Sequence, residues 1–154
     1  MNQIGLDEQQ SKTLAEKLNT LLANYQLFYI NTRGYHWNIK GEKFFELHAK
    51  FEELYNDTVL KIDEIAERIK TLGYTPLHTY TDYLEHSAIK ERKNVTGGTE
   101  AVRNVVDGLK QLLMLQREIL QLSSEAGDEG TNSVMSDYIR EQEKLVWMYN
   151  AFLS

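Results

Sequence analysis

The sequence predicts an all-α chain built on four long helices. Two observations predict it. Apolar residues recur at helical spacing over four long stretches. The breaks between those stretches are marked by the one proline, Pro76, and by clustered glycines. A length of 154 residues is that of one ordinary domain, taken as residues 1–154.

The first helix is expected from about Asp7 to Trp37. Asp7, with Gln10 three residues on, resembles a capping box, and Leu14, Leu18, Leu21, Tyr25 and Phe28 follow at helical spacing. Asn38 to Gly41 reads as a short turn. The second helix is expected from about Glu42 to Leu72, with Gly73 as the residue past its end and Pro76 forbidding continuation. Its core stripe is Phe44, Leu47, Phe51, Leu54, Thr58, Ile62, Ile65, Ile69 and Leu72. A second stripe lies beside it: His48, Glu52, Tyr55, Val59, Asp63, Ala66 and Glu67. A solvated face rarely mixes Tyr, Val and Ala with ligand-type residues, whereas a wet subunit interface does.

Residues 74 to 98 form a long connection with a short helix from Thr79 to His86, closed by Gly97-Gly98. The third long helix starts near Thr99 and ends by Gly127. The fourth runs from about Thr131 to Phe152, carrying Val134, Tyr138, Leu145, Met148 and Phe152. Two hairpins joined by one long crossover make the ferritin-like four-helix bundle, here with a short helix in the long B–C crossover.

Composition excludes several classes. Hydrophobic residues make up 42%, enough for a core and too many for a disordered tail. No run of about eighteen apolar residues is present, so no transmembrane helix is expected. Met1 to Gln10 holds Asp7 and Glu8 but no Lys or Arg, unlike a secretory signal. The absence of cysteine removes disulfides, thiolate metal sites and cysteine nucleophiles, and fits a cytoplasmic protein. The formal charge of −6 attracts cations and repels nucleic acid at long range.

Chemistry concentrates in His36, His48, Asp63 and Glu67. Imidazoles and carboxylates together bind transition metals such as iron or zinc. From His48 to Asp63 the chain reads as one helix, placing them roughly 22 Å apart along it. Fifteen steps of about 100° leave a residual rotation of only about 60°, so both point to nearly the same side. An antiparallel second copy across a twofold axis would bring His48 of one chain opposite Asp63 and Glu67 of the other. The spacing thus suggests a metal site built at a dimer interface. Intra-bundle sites of ferritin-like proteins use Glu-x-x-His pairs, and the sequence has none. Asp63 and Glu67 would ordinarily be a solvated helix face with mild mutual repulsion; a bound cation explains the pair better. His78 and His86 lack such partners and read as plain surface or core residues.

The stretch His36-Trp37-Asn38-Ile39-x-Gly41-x-x-Phe44-x-x-Leu47-His48-x-x-Phe51-Glu52-x-x-Tyr55, continuing to Asp63-x-Ile65-Ala66-Glu67-Arg68, resembles the Dps family, the miniferritins. The likeness extends to Tyr83-Leu84-x-x-Ser87 and the late Trp147, over essentially the whole chain. It implies a hollow homo-dodecamer of tetrahedral 23 symmetry that oxidises Fe(II) and stores ferric oxide, protecting against oxidative stress. Hydrogen peroxide is the oxidant typical of the family. The ferroxidase site implied lies at a twofold interface, with His36 and His48 from one subunit and Asp63 and Glu67 from its partner. Glu67 would bridge the irons, Glu52 stands where the family has a second-site carboxylate, and zinc is an alternative occupant. By the same analogy Trp37 intercepts stray oxidising equivalents, and iron enters through acidic pores, for which Glu125, Asp128 and Glu129 are candidates alongside Asp137. Ser124 and Ser133 fall where some members have Asp. Trp147 is read as a packing aromatic.

The lysine-rich N-terminal tail of DNA-binding members is not matched, since the first lysine is Lys12. Twelve copies at −6 each give a formal −72, so strong DNA binding is not expected. The rival expectations are a DNA-compacting structural dodecamer with little turnover, and the same site holding zinc or manganese without turnover.

Overall fold

The computed structural model describes residues 1–154. It contains five helices in the order α1 (Glu8–Asn38), α2 (Phe44–Thr71), α3 (Tyr80–His86), α4 (Gly98–Glu125) and α5 (Glu129–Leu153). The α1–α2 and α4–α5 hairpins pack side by side, α1 lies against α4, and α3 rests on α1. This is the four-helix bundle with a helix in its crossover that the periodicity predicts. No helix is long and apolar enough to cross a membrane.

Local chemistry sets the helix ends. The Asp7 side chain accepts a hydrogen bond from the Gln10 amide at 2.9 Å, one half of the expected capping box. Thr79 caps α3 and Asp128 caps α5 in the same way. Gly73, at φ +97°, ends α2 in the left-handed conformation that a side chain resists. The α1–α4 approach is close enough that a Cβ on Gly108 would sit 2.7 Å from the Phe28 ring.

Three asparagines of α1 hold the crossover. The Asn24 Oδ1 accepts from the Ala88 and Ile89 amides at 3.0 Å each. Asn31 donates to the Lys90 carbonyl at 2.9 Å and accepts from the Arg92 amide at 3.0 Å. Asn19 accepts from the Leu77 amide at 2.8 Å. A loop without regular structure needs such partners for its backbone.

Inside the bundle, the apolar core runs the length of the four helices. On α2 the expected stripe is buried except at Phe44 and Ile62, which are half-buried; Lys61, outside the expected stripe, is buried instead. Three of the four long helices, α1, α4 and α5, contribute to a polar centre. Gln142 donates to the Tyr25 hydroxyl at 2.6 Å, Gln116 donates to Gln142 at 2.7 Å, and Tyr25 donates to Gln116. Burial pushes the Tyr25 hydroxyl far above its ordinary pKa, so it stays a protonated donor. Trp147, read as a packing aromatic, is 66% exposed in the single chain and does not join its core.

Candidate metal centre

His36 ends α1 and His48 begins α2, and the short turn between the helices stacks their rings. The ring centres are 3.8 Å apart with planes 12° from parallel. Two reciprocal hydrogen bonds lock the stack: Nδ1 of His36 donates to the His48 carbonyl and Nδ1 of His48 donates to the His36 carbonyl, both at 2.7 Å. A carbonyl can only accept, so each Nδ1 carries the proton. In its neutral form each ring then has its lone pair on Nε2, the state a metal ligand requires. His36 is buried and His48 half-buried.

Glu52 lies one turn along α2, with an oxygen 3.9 Å from the His36 Nε2. Two donors each about 2.0–2.2 Å from one ion stand at most about 4.3 Å apart. A tetrahedral pair at those bond lengths stands about 3.4 Å apart, so Glu52 and His36 reach a shared ion after a closing movement of about half an ångström.

Asp63 and Glu67 are exposed, on the second stripe of α2. The helix is unbroken from Phe44 to Thr71, so the rise of about 22 Å from His48 to Asp63 stands. Within one chain no three His, Asp or Glu side chains come together to hold a metal ion. The neighbouring Asp63 carboxylate raises the Glu67 pKa above the ordinary carboxylate value. Two acids that crowd one another without a countercharge favour a bound cation.

An aromatic cage stands beside the histidines. Tyr55 meets His36 edge-on at 5.2 Å and Tyr29 at 6.0 Å. The Arg33 guanidinium lies among the rings of Trp37 at 5.0 Å, Tyr55 at 5.4 Å and Tyr29 at 5.8 Å, and donates to the Tyr29 hydroxyl. Its buried Nε finds no acceptor in the chain. Trp37 itself is exposed.

Of the acidic residues near the α4–α5 corner, Glu125 and Glu129 are exposed. Asp128 is not available to a pore. It is 1% exposed, accepts from the Thr131 amide at 3.0 Å and pairs with Arg68 at 2.7 Å. Its carboxylate is fully occupied in capping α5 and joining it to α2. Asp137 pairs with Arg140 at 3.1 Å. The reciprocal carbonyl bonds, the role of Arg33 and the burial of Lys61 had no sequence signal beyond the residue types themselves, since each depends on contacts between helices.

A ferritin-like domain profile matches residues 15–154. The crystal structure of a Dps protein from Vibrio cholerae O1, described as a member of a broad superfamily of ferritin-like diiron-carboxylate proteins, superposes with a TM-score of 0.99 at 60% identity, covering 100% of this chain and 97% of that one. A DNA protection during starvation protein from Porphyromonas gingivalis is 42% identical over 148 residues, 96% of this chain and 93% of the relative. Dps from Listeria innocua, in a crystal soaked with zinc, superposes with a TM-score of 0.88 at 29% identity, covering 91% of this chain and 95% of that one.

Proposed function

The chain belongs to the ferritin-like family and, within it, to the Dps miniferritins, and on that premise we propose that it oxidises Fe(II) with hydrogen peroxide and stores the ferric product. One observation carries the reading. A pair of imidazoles locked through Nδ1 turns its Nε2 atoms to a ligand at one end of α2, and a carboxylate pair with no cationic partner sits about four turns away along the same helix. Neither half is a site alone. A twofold axis perpendicular to α2, which sets two copies of the helix antiparallel, would unite them in the isologous manner of a symmetric dimer.

In this arrangement His36, His48 and Glu52 of one subunit face Asp63 and Glu67 of the partner across the axis. The orphaned Arg33 Nε supports the same placement, because a buried donor without a partner awaits an acceptor. Fe(II) is substrate here. Two Fe(II) each surrender one electron to one peroxide, whose O–O bond breaks, and two protons complete two waters. Delivering both electrons together avoids releasing hydroxyl radical. Histidine and carboxylate donors suit Fe(II), and carboxylates suit the harder Fe(III). Zinc takes the same donors without redox chemistry and is the expected competitor.

The assembly proposed is a homo-dodecamer of tetrahedral 23 symmetry in the cytoplasm, with Glu125 and Glu129 guiding iron inward and Trp37 trapping stray oxidising equivalents. A net charge of −6 per chain disfavours DNA as a partner, so no gel retention is expected at neutral pH and physiological salt. The testing experiment is anaerobic Fe(II) loading followed by stoichiometric peroxide, reading ferric absorbance for the wild type and for His36→Ala with Asp63→Ala. Fast oxidation lost in the variant supports the reading. Wild-type oxidation no faster than protein-free buffer refutes it.

A further inference from the structure

Lysine is almost never buried without a partner, yet the Lys61 side chain is only 7% exposed. Its ammonium lies between two carboxylates, 2.7 Å from Asp57 one turn back on α2 and 2.7 Å from Glu141 on α5. It also sits 4.9 Å over the Tyr138 ring, and Tyr138 donates to Glu64, a third acid of the same region. The Asp57 and Glu141 oxygens, both half exposed at the rim between α2 and α5, therefore converge on one point, and that point holds a buried positive charge.

Ferritin-like bundles place metal sites among facing carboxylates of their own helices. Water reaches the point from outside: Asp57 and Glu141 line a groove of about 290 Å³ together with Glu53, Lys50 and Lys144. Mn(II), Mg(II) and Fe(II) bind through one or two carboxylates with waters completing the shell. The tethered ammonium is what stands where such an ion would sit.

We propose that Lys61 is a built-in cation that denies divalent metal ions a carboxylate site inside each subunit, and so confines iron to the subunit interface. The exclusion is independent of the proposed oxidation, while its consequence rests on it. A single Fe(II) held between Asp57 and Glu141 has no second iron beside it. It would give peroxide one electron, breaking the O–O bond to Fe(III), hydroxide and a hydroxyl radical next to Tyr138. Lys61 is then a specificity-determining residue that keeps one-electron chemistry away from the α2–α5 groove and from Tyr138 beside it.

The test replaces Lys61 with Ser in a chain that also carries His36→Ala and Asp63→Ala, so that the interface donors are disabled. Anaerobic Mn(II) titration is read by the loss of the aqueous Mn(II) paramagnetic signal. The expected result is one bound Mn(II) per chain that the Lys61-bearing parent lacks, lost again when Glu141→Gln is added. A folded Lys61→Ser chain that binds no more Mn(II) than its parent overturns the proposal. Where that chain melts too low to titrate, the melt is the readout. Mn(II) must then raise the Tm of Lys61→Ser and not that of Lys61→Ser/Glu141→Gln; equal responses overturn the proposal. The consequence is measured separately, with the interface donors intact. Lys61→Ser is expected to yield more hydroxyl-radical spin adduct per peroxide consumed, and an unchanged yield overturns the protective role. Failure of the ferroxidase reading would leave the Mn(II) result untouched.

Discussion

If the site is shared between subunits, two dead variants must rescue one another. Take one chain with His36→Ala and His48→Ala, and another with Asp63→Ala and Glu67→Ala. Each alone has no complete site. In a mixed dimer one interface site pairs the missing histidines with the missing acids and is doubly defective. The other pairs intact histidines with intact acids and is whole, because an isologous interface uses the same patch twice. Random pairing of equal amounts makes about half of the dimers mixed, each with one good site of two, so about a quarter of wild-type sites return. The unbroken α2 makes the prediction sharp, since it keeps His48 and Asp63 about 22 Å apart within a chain. The assay is co-refolding of differently tagged chains, followed by the initial rate of peroxide-driven ferric absorbance per assembled chain. Activity that stays at the level of the separate variants, in cages shown to contain both tags, would refute the shared site.

Other outcomes follow from particular contacts. Asn24→Ala strands the buried Ile89 amide and sends the Ala88 amide to water, losing about 2–4 kcal/mol. For a chain this long that lowers the Tm by roughly 5–15 °C, with protection against hydrogen exchange lost at residues 88 and 89; a fall under about 1 kcal/mol would contradict the bonding described. Because Asp63 raises Glu67, the metal-free chain holds the Glu67 proton more tightly than an unfolded chain does. The stability this gives is present at low pH and is lost as pH rises through the raised pKa. Metal competes with that proton, so Zn(II) affinity is expected to climb with pH over that window. Asp63→Asn is expected to flatten the stability–pH curve and abolish tight Zn(II) binding, measured by melting and calorimetry. Trp37→Phe is expected to leave iron uptake intact while raising the radical-trap signal; unchanged trapping would remove Trp37 from that role. Glu129→Gln is expected to slow iron uptake without abolishing oxidation, and an unchanged uptake rate would exclude it from the pore.

Much of the bundle was legible in the sequence because its determinants are local. The apolar spacing of Leu14 to Phe28, the Asp7 cap and the Gly73 stop act within a few residues, and each predicts its element to within two or three positions. What was illegible depends on residues far apart in sequence. Asp128 has the look of a pore acid at a helix start, until Arg68, sixty positions away, claims it. Lys61 lies outside the apolar stripe of α2, and its partner Glu141 on α5 is eighty positions away. The two histidines could be picked out by type and spacing, but their tautomer could not. It is set by carbonyls that only the turn between α1 and α2 brings within 2.7 Å.

The interior of the bundle explains why the metal donors lie at its surface. Each polar position at the centre already has a neutral or tethered partner. Tyr25, Gln116 and Gln142 close a ring of hydrogen bonds among three helices, and Lys61 neutralises Asp57 and Glu141. A closed ring of neutral groups whose oxygens each accept from a neighbour offers a metal no charge, and a hydrogen-bonded buried network resists rearrangement. The outward face formed by the end of α1 and the second stripe of α2 does retain groups a metal can bind: the Nε2 atoms of the locked histidines, and the Asp63–Glu67 pair, which share a hydrogen bond and repel one another without a cationic side chain of the same subunit beside them. Stability and reactivity are thereby separated in space. The core can be fully satisfied without silencing the proposed site, because on that reading the site is completed by a second copy of the chain.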